Sequence, residues 1–288
     1  MDIQAVSAAA TIAVACAIVF LLAARSWQLL SRTFSAHSNF SDSIMSEAAQ
    51  RLRDELTELS RKQSTYLGAG LVFVVMYVVG AAFNGPTLFE GYPEWQLYGL
   101  LALLLAAAAF AAWRLIRTVV AWRQVHYMRD ASIAIGHELQ RIAASQGRTY
   151  HDVPTAFGII DHVLIGPGGI YAVNVVARRH AKSGTAALVA GELDFSNAKQ
   201  GIDIAAQATA TRRLEKELSK QAGRPLRVRS VIATPGWDIE KQQDPDHLLV
   251  NERTLPMLRG WRDPADHLMD EEVQRLQSYL TGRCKRSA

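Results

Sequence analysis

The chain is poor in cysteine and in aromatic residues. Only two of its 288 residues are cysteines, Cys16 and Cys284, and aromatic residues make up 8% of the sequence. Two distant cysteines exclude the disulfide framework of a small secreted domain, and no Cys/His spacing typical of a zinc site is present. This pattern favours a reducing compartment. The aromatic interleaving expected of a single-strand nucleic-acid binder is also missing.

Basic residues are missing from the N-terminus. The chain opens MDIQ, with an acid, and its first Lys or Arg is Arg25. A cleavable signal peptide would place basic residues before its apolar run. We therefore expect the first apolar block to be retained as a membrane anchor.

Charge is absent from three long apolar blocks, residues 5–24, 66–83 and 97–113. A hydrocarbon core of ~30 Å is crossed by about 20 helical residues, so the first two blocks suffice and the third does if it extends a little. For any one block the alternative is a buried helix of a soluble domain. Together they predict three transmembrane helices, the first within residues 1–25 and the other two within 66–120.

Lys and Arg are unevenly distributed around these blocks. The connection 26–65 carries several of them, and more arginines follow the third block, whereas residues 84–96 have only acids. By the positive-inside rule the N-terminus lies outside and everything after the third block lies in the cytoplasm. We expect an integral protein of a bacterial inner (plasma) membrane.

The cytoplasmic connection, residues 26–65, contains an apolar repeat. Its members are spaced alternately by four and three residues, as on one face of a helix: Met45, Ala49, Leu52, Leu56 and Leu59. The repeat is shorter than a coiled coil normally requires. Residues 42–62 are therefore either a homo-oligomer contact or a single helix that packs on the soluble domain or along the membrane.

The soluble part, residues 129–284, mixes helical and strand patterns. The pattern predicts a helix over 132–144, a short strand, an apolar hairpin, a long helix capped by Ser196 or Asn197 and ending near Gln221, strands over 226–233 and 248–250, and two closing helices. This order is typical of an α/β domain with a small mixed sheet flanked by helices.

The hairpin, residues 158–179, reads GIIDHVLIGPGGIYAVNVVARR. If the chain turns symmetrically at GPGG, Asp161 lies opposite Asn174, and directly opposed side chains share one face of a sheet. Val176 projects from that face one step along, whereas His162 points to the other face and is expected to be structural.

The run IDHVLIGPGGIYAVNV resembles the core of the nuclease-related domain, NERD, a branch of the PD-(D/E)XK nuclease-like superfamily. GHEL at 136–139 is similar to the family's glycine–glutamate helix start, HDVP at 151–154 to its first strand, and AAQATATRRL at 205–214 to its glutamine-bearing helix. VNERTLPMLRGW resembles the usual ending, so the likeness covers roughly residues 129–281. It implies a restriction-endonuclease-like core fused to a membrane anchor.

In that superfamily an acid on the first hairpin strand, an acid-x-lysine on the second and often a helical glutamate hold a divalent metal at the scissile phosphate. Carried over by position, Asp161 and Glu138 match, but Asn174 replaces the second acid and Val176 the lysine. Mg²⁺ or Mn²⁺ would then be held weakly, by two carboxylates and an amide oxygen at most. The resemblance therefore implies a catalytically impaired site.

Polar and basic residues of the domain offer a path for a phosphate backbone of DNA or RNA. The whole formal excess of +4 lies in residues 121–288, because the first 120 residues carry acids and bases in equal number. The predicted contacts are Arg178, Arg179, Lys182, Gln207, Arg212, Arg227 and Arg229. Three functions remain open: an impaired nuclease that acts by binding, an active metal-dependent nuclease with substituted residues, and a membrane scaffold.

Overall fold

The computed structural model describes residues 3–33, 47–82, 93–144, 147–179, 184–259 and 266–284. The chain divides into two compact units. The first comprises Met1–Ala36 and Glu55–Gln124, and the second comprises His37–Asp54 and Val125–Ala288.

Three long helices begin the chain: α1 (Ile3–Thr33), α2 (Gln50–Ala82) and α3 (Glu94–Ala143). Two described helices, rather than the three predicted, are long and apolar enough to cross a membrane, with windows at Ala9–Ser26 and Gln50–Val79. The third predicted span, residues 97–113, is helical within α3, but several of its side chains lie outside the described part of the chain.

Large apolar side chains on α1 and α2 are open to their surroundings. Val19 is 65% exposed, Leu22 64% and Leu71 67%. Only 17% of the α1 window and 6% of the α2 window is buried. In a soluble domain a helix packs such residues against the hydrophobic core, whereas a helix that faces lipid leaves them exposed on its surface. Composition and exposure thus support a membrane location weakly, and the membrane and the orientation stay predictions.

Helix α2 includes both the end of the connection 26–65 and the start of the predicted second span. It runs without interruption from Gln50 to Ala82, so the predicted boundary at residue 65 falls inside it. Ala49 and Leu52 of the predicted apolar repeat are buried, whereas Met45 lies outside the described residues. The burial of Ala49 and Leu52 agrees with the alternative in which this segment packs within its own chain. A homo-oligomer contact stays a prediction.

The second unit forms the α/β domain. After α3 its elements are β1 (Arg148–Thr155), β2 (Gly158–Gly166), β3 (Gly169–Val175), β4 (Thr185–Val189), β5 (Glu192–Phe195), β6 (Ile202–Asp203), α4 (Ala205–Ala222), β7 (Val228–Ala233), β8 (Asp238–Gln243), β9 (His247–Val250), a 3₁₀ helix (Leu255–Arg259) and α5 (Asp270–Arg283). The main sheet has the order β1-β2-β3-β7-β9. Strands β1 to β3 are antiparallel, and β7 and β9 run parallel to β3. The predicted mixed sheet is confirmed.

The two faces of the main sheet pack against different helices. Val163 and Ile165 of β2 join the apolar cluster that contains Leu214 of α4 and Leu276 of α5. Leu164, between them, joins the cluster of α3 instead. Successive strand residues point to opposite faces, so the sheet is buried on both sides. Asp161 therefore belongs to the α4 face.

A second sheet, of order β6-β5-β4-β8, was not predicted. Its strands are short, and β8 reads DIEKQQ with little burial, so no apolar run reveals it. The predicted start of the long helix at Ser196 or Asn197 is wrong, because β6 intervenes and α4 begins at Ala205. The predicted helix over 132–144 is the last part of α3.

The GPGG turn has the predicted register. Ile165 pairs with Ile170, and Gly166 pairs with Gly169. Gly169 has a φ of 124°, and a Cβ placed there would lie 3.2 Å from Cβ of Asp266. The turn therefore requires glycine both for its backbone conformation and for space.

Substitution of Gly169 by alanine should lower the free energy of unfolding by about 1–3 kcal/mol, because it adds strain at positive φ. Gly282→Ala is the matched control. Nothing lies within 4 Å of a Cβ at this position in α5, so alanine there should raise stability by about 0.5–1 kcal/mol. Thermal unfolding of both variants followed by circular dichroism checks the difference, and equal melting temperatures would contradict it.

Candidate functional site

The structure brings three predicted site residues into one pocket. Asp161 of β2, Asn174 of β3 and Gln207 of α4 all line it. The β2–β3 pairing ends at His162 and Val173, and Asp161 and Asn174 are the next residues on the two strands. Gln207 reaches the pocket because it lies in the first turn of α4. This helix comes between β3 and β7 in the chain, and it begins at the end of the sheet where Asp161 and Asn174 lie. We call this the Asp161 pocket.

Asp161 is held by two different groups. The N–H of Val175 donates to its Oδ2 at 2.8 Å, and Nη2 of Arg51 lies 3.5 Å from its Oδ1. The side chain is only 14% exposed. Burial raises the pKa of Asp161 to about 6, although the hydrogen bond and the arginine charge act in the opposite direction. The carboxyl is thus poorly hydrated, and it relies on Arg51 and Val175 when it is ionised.

Arg51 is a site residue that the sequence did not indicate. It lies in the first turn of α2, and its backbone N–H donates to Oδ2 of Asp152 at 3.0 Å. Asp152 itself has a positive φ of 49°, an uncommon conformation for a residue other than glycine. The only signal for this contact was the apolar repeat, which allowed residues 42–62 to pack on the domain.

Two amide groups in the pocket each have one atom without a hydrogen-bond partner in the described part of the chain. Asn174 is 4% exposed. Its Nδ2 and the Oε1 of Gln207 have no hydrogen-bond partner among the described residues. A buried polar atom left unpaired costs about 1–3 kcal/mol, and proteins normally satisfy such atoms with protein, water or a ligand. The pocket therefore has the chemistry of a binding site for a polar group.

The donor set does not suit a hard divalent cation. Asp161 is the single carboxylate among the residues that line the pocket, and Arg51 lies beside it. Across the described part of the chain, no cluster of three or more His, Cys, Asp or Glu residues has the arrangement of a metal site. Mg²⁺ is normally bound through carboxylates and waters, so a nearby guanidinium opposes it.

The structure does not bring Glu138 to Asp161. Met128 of α3 lines the pocket, and Glu138 follows ten residues later, which is roughly 15 Å along a helix axis. Its carboxylate pairs instead with Arg141 of the same helix, at 3.2 Å. GHEL lies inside α3 rather than at the start of a helix. Glu138 is a partly buried residue of α3.

Val176 does not line the pocket either. It is partly buried and packs against the apolar cluster around Trp237, and its N–H donates to the carbonyl of Ala233 at 2.9 Å. The position where the resemblance would place a lysine thus contributes packing to the second sheet. It brings no charge to Asp161.

The histidines on the opposite face form a buried chain. Nδ1 of His162 lies 2.8 Å from Nδ1 of His151. Nε2 of His162 contacts Oγ of Ser132 at 3.2 Å, and Nε2 of His151 contacts Nε2 of Gln140 at 3.1 Å. Burial lowers the pKa of His151 to about 4 and that of His162 to about 3. His162 thus lies on the opposite face from Asp161, as predicted, and is fully buried.

Three predicted arginines line a separate cleft. Arg212 of α4, Arg227 and Arg229 surround it, together with the acids Glu215, Asp244 and Asp246. Arg229 pairs with Asp266, and Arg212 lies 3.7 Å from Asp246. Arg227 is exposed, and no ion pair in the described part of the chain includes it. We call this the arginine cleft.

Two further predicted contacts, Arg178 and Arg179, line neither the pocket nor the cleft. Arg178 and Arg179 are exposed after β3, and the guanidinium of Arg179 lies 5.9 Å from the centre of the Tyr127 ring. Lys182 lies outside the described residues. The predicted set is therefore divided between the Asp161 pocket, the arginine cleft and an exposed strand exit.

Comparisons with known proteins found no match for this chain among family models, curated proteins or solved structures. The likeness to the nuclease-related domain accordingly rests on the sequence motifs quoted above.

Proposed function

We propose that this chain is a membrane-anchored protein whose α/β domain acts by binding nucleic acid and does not cleave it. The observation that carries the proposal is the composition of the Asp161 pocket. One carboxylate is paired with Arg51, and beside it Nδ2 of Asn174 and Oε1 of Gln207 have no hydrogen-bond partner among the described residues. The Arg51 guanidinium and the Asn174 amide N–H are hydrogen-bond donors suited to phosphate oxygens, whereas the Gln207 oxygen can accept a hydrogen bond from a sugar hydroxyl or a base. A metal-dependent nuclease needs further carboxylates there.

The arginine cleft supports the same proposal. It lies on the other side of α4 from the pocket, since Gln207 and Ala210 line the pocket whereas Thr211 and Glu215 line the cleft. Contacts between arginine and phosphate position a nucleic acid without reading its sequence. The domain is therefore suited to a DNA or RNA backbone rather than to a specific site.

The membrane part of the proposal rests on α1 and α2. Both carry long apolar windows with little burial. The excess of Lys and Arg after the apolar blocks favours a cytoplasmic location for the α/β domain, at a bacterial inner (plasma) membrane. Binding would then hold nucleic acid close to the inner face of that membrane.

We expect the full chain in lipid nanodiscs to bind single- or double-stranded DNA or RNA in EDTA, with an affinity that falls steeply between about 50 and 200 mM salt. Arg227→Ala should weaken binding to all sequences alike and reduce the salt slope by about 1, as expected for a lost phosphate contact. Arg253→Ala, which removes a 78% exposed arginine outside the cleft, is the control. Fluorescence anisotropy measures each affinity. Absence of salt-sensitive binding would favour the scaffold alternative.

Incubation of the same preparations with plasmid in Mg²⁺ or Mn²⁺ tests for cleavage. We expect no product from the parent chain. Cleavage that disappears in Asp161→Ala would overturn the proposal in favour of an active nuclease. The doubly restored variant Asn174→Glu, Val176→Lys shows whether the missing groups alone limit activity.

A further inference from the structure

The segment that carries Arg51 is fixed on the α/β domain by contacts other than its charge. Ala48, Ala49 and Leu52 are 9%, 1% and 6% exposed. Gly136 of α3 allows a close approach, because a Cβ there would lie 3.0 Å from Cβ of Ala48. Apolar packing therefore places this segment, and the guanidinium is carried to the pocket with it.

The backbone of the segment is also constrained. Ala49 has a φ of 59°, the N–H of Gln50 donates to the carbonyl of Glu47 at 3.1 Å, and the N–H of Arg53 donates to that of Ala49 at 3.0 Å. The Arg51 N–H is bound by Asp152 at 3.0 Å. These bonds fix where α2 begins and which way residue 51 points.

The ion pair itself contributes little to the fold. Arg51 is 44% exposed, and the distance between its Nη2 and Oδ1 of Asp161 is 3.5 Å. Pairs of this kind typically stabilise a protein by less than about 1 kcal/mol. Arg51 affects the binding of ions in the pocket more than it affects the stability of the fold. Arginine stays protonated, so a second cation near Asp161 would be repelled by a fixed positive charge.

We propose that Arg51 is a resident cation of the Asp161 pocket that excludes divalent metal ions from it. The donor set then disagrees with a metal site for a second reason besides its single carboxylate, the arginine supplied by α2. The inference rests on the proposed function in that it explains how the pocket binds without hydrolysis. The guanidinium takes the place beside Asp161 that a metal ion would need.

The test is a set of Mn²⁺ titrations, followed by electron paramagnetic resonance, on the full chain in nanodiscs. Asn174→Asp supplies a second carboxylate, and we expect this variant to bind Mn²⁺ no better than the parent. Adding Arg51→Gln should raise its affinity about tenfold or more, equivalent to about 1.4 kcal/mol. A further Asp161→Asn should remove the gain. Equal affinity with and without Arg51 would overturn the inference.

A conservative variant separates charge from packing. Arg51→Lys keeps a cation on a flexible stem, so Mn²⁺ should remain excluded, and a gain as large as that of Arg51→Gln would contradict the inference. The melting temperature of the double variant Asn174→Asp, Arg51→Gln gives a second readout. Mn²⁺ should raise it, since an ion that binds only the folded state stabilises it, and should leave that of Asn174→Asp unchanged. No shift in either would contradict the proposal.

Nucleic-acid binding by the parent chain in EDTA separates failure of this inference from failure of the proposed function. If the parent binds DNA or RNA but loss of Arg51 brings no Mn²⁺ affinity, only the role of Arg51 is refuted. If Mn²⁺ affinity appears as expected but the parent binds no nucleic acid, the proposed function fails while Arg51 still excludes the metal.

Discussion

Replacement of Arg229 by alanine should lower the free energy of unfolding by about 3–5 kcal/mol, because it leaves a buried carboxylate without its counter-ion. Nε of Arg229 donates to Oδ2 of Asp266. The side chains are 16% and 1% exposed. The other oxygen of Asp266, Oδ1, has no hydrogen-bond partner in the described part of the chain. The carboxylate therefore depends strongly on this arginine.

Arg227→Ala is the matched control, since Arg227 lies two residues earlier and is exposed. It should change stability by less than about 0.5 kcal/mol. Chemical unfolding of both variants, followed by circular dichroism, measures the contrast. If both lose the same stability, the buried pair is not the cause. The double variant Arg229→Leu, Asp266→Leu should recover much of the loss, because no unpaired charge remains buried.

The second large effect is a gain in stability at neutral pH when Asp161 is replaced by asparagine. The pKa of Asp161 is raised from 3.8 to about 6, chiefly by burial. A carboxyl that holds its proton more tightly in the folded state stabilises the fold at low pH, and this stabilisation is lost as pH rises from about 4 to about 6. Above that range the ionised carboxylate lowers the free energy of unfolding by up to about 3 kcal/mol, because each unit of pKa shift corresponds to about 1.36 kcal/mol.

Asparagine keeps an oxygen that can accept the Val175 N–H but carries no charge. Asp161→Asn should therefore be more stable than the parent near pH 7.5 by up to about 3 kcal/mol and equal to it near pH 4. Thermal unfolding at both pH values checks the dependence. Asp238→Asn, at a side chain that is 66% exposed, should show no such change. A difference between parent and Asp161→Asn that is independent of pH would contradict the assignment.

The hairpin could be predicted because the evidence for it is local. Alternating apolar residues on both sides of GPGG fix the turn, and the turn fixes the register from Gly166 back to His162. The position of Asp161 beside Asn174 follows by one further step. Gln207 was indicated only by the family resemblance, and the crossover of α4 places it in the same pocket.

The wrong and missing predictions have a common physical cause. Each depends on the neighbouring chain or on tertiary contacts, which a local sequence pattern does not show. The helix predicted over 132–144 begins much earlier, at Glu94, because the apolar residues before it are helical too. Arg51 could not be predicted, since no local pattern shows which domain surface Ala49 and Leu52 cover. The second sheet was missed because strands such as β8 pair through backbone groups while their side chains stay exposed. Propensity is a weak guide in such strands.

The buried histidine pair has a consequence for how protons are arranged inside the domain. Only one hydrogen can occupy the 2.8 Å gap between Nδ1 of His151 and Nδ1 of His162, so the two rings must be opposite tautomers. With Gln140 donating to Nε2 of His151, His151 carries its hydrogen on Nδ1 and His162 carries its own on Nε2, toward Ser132. The bonds therefore run in one direction, from α3 through β1 and β2 and back to α3. A second proton on either ring would set two donors against each other, so these contacts hold both imidazoles neutral at neutral pH.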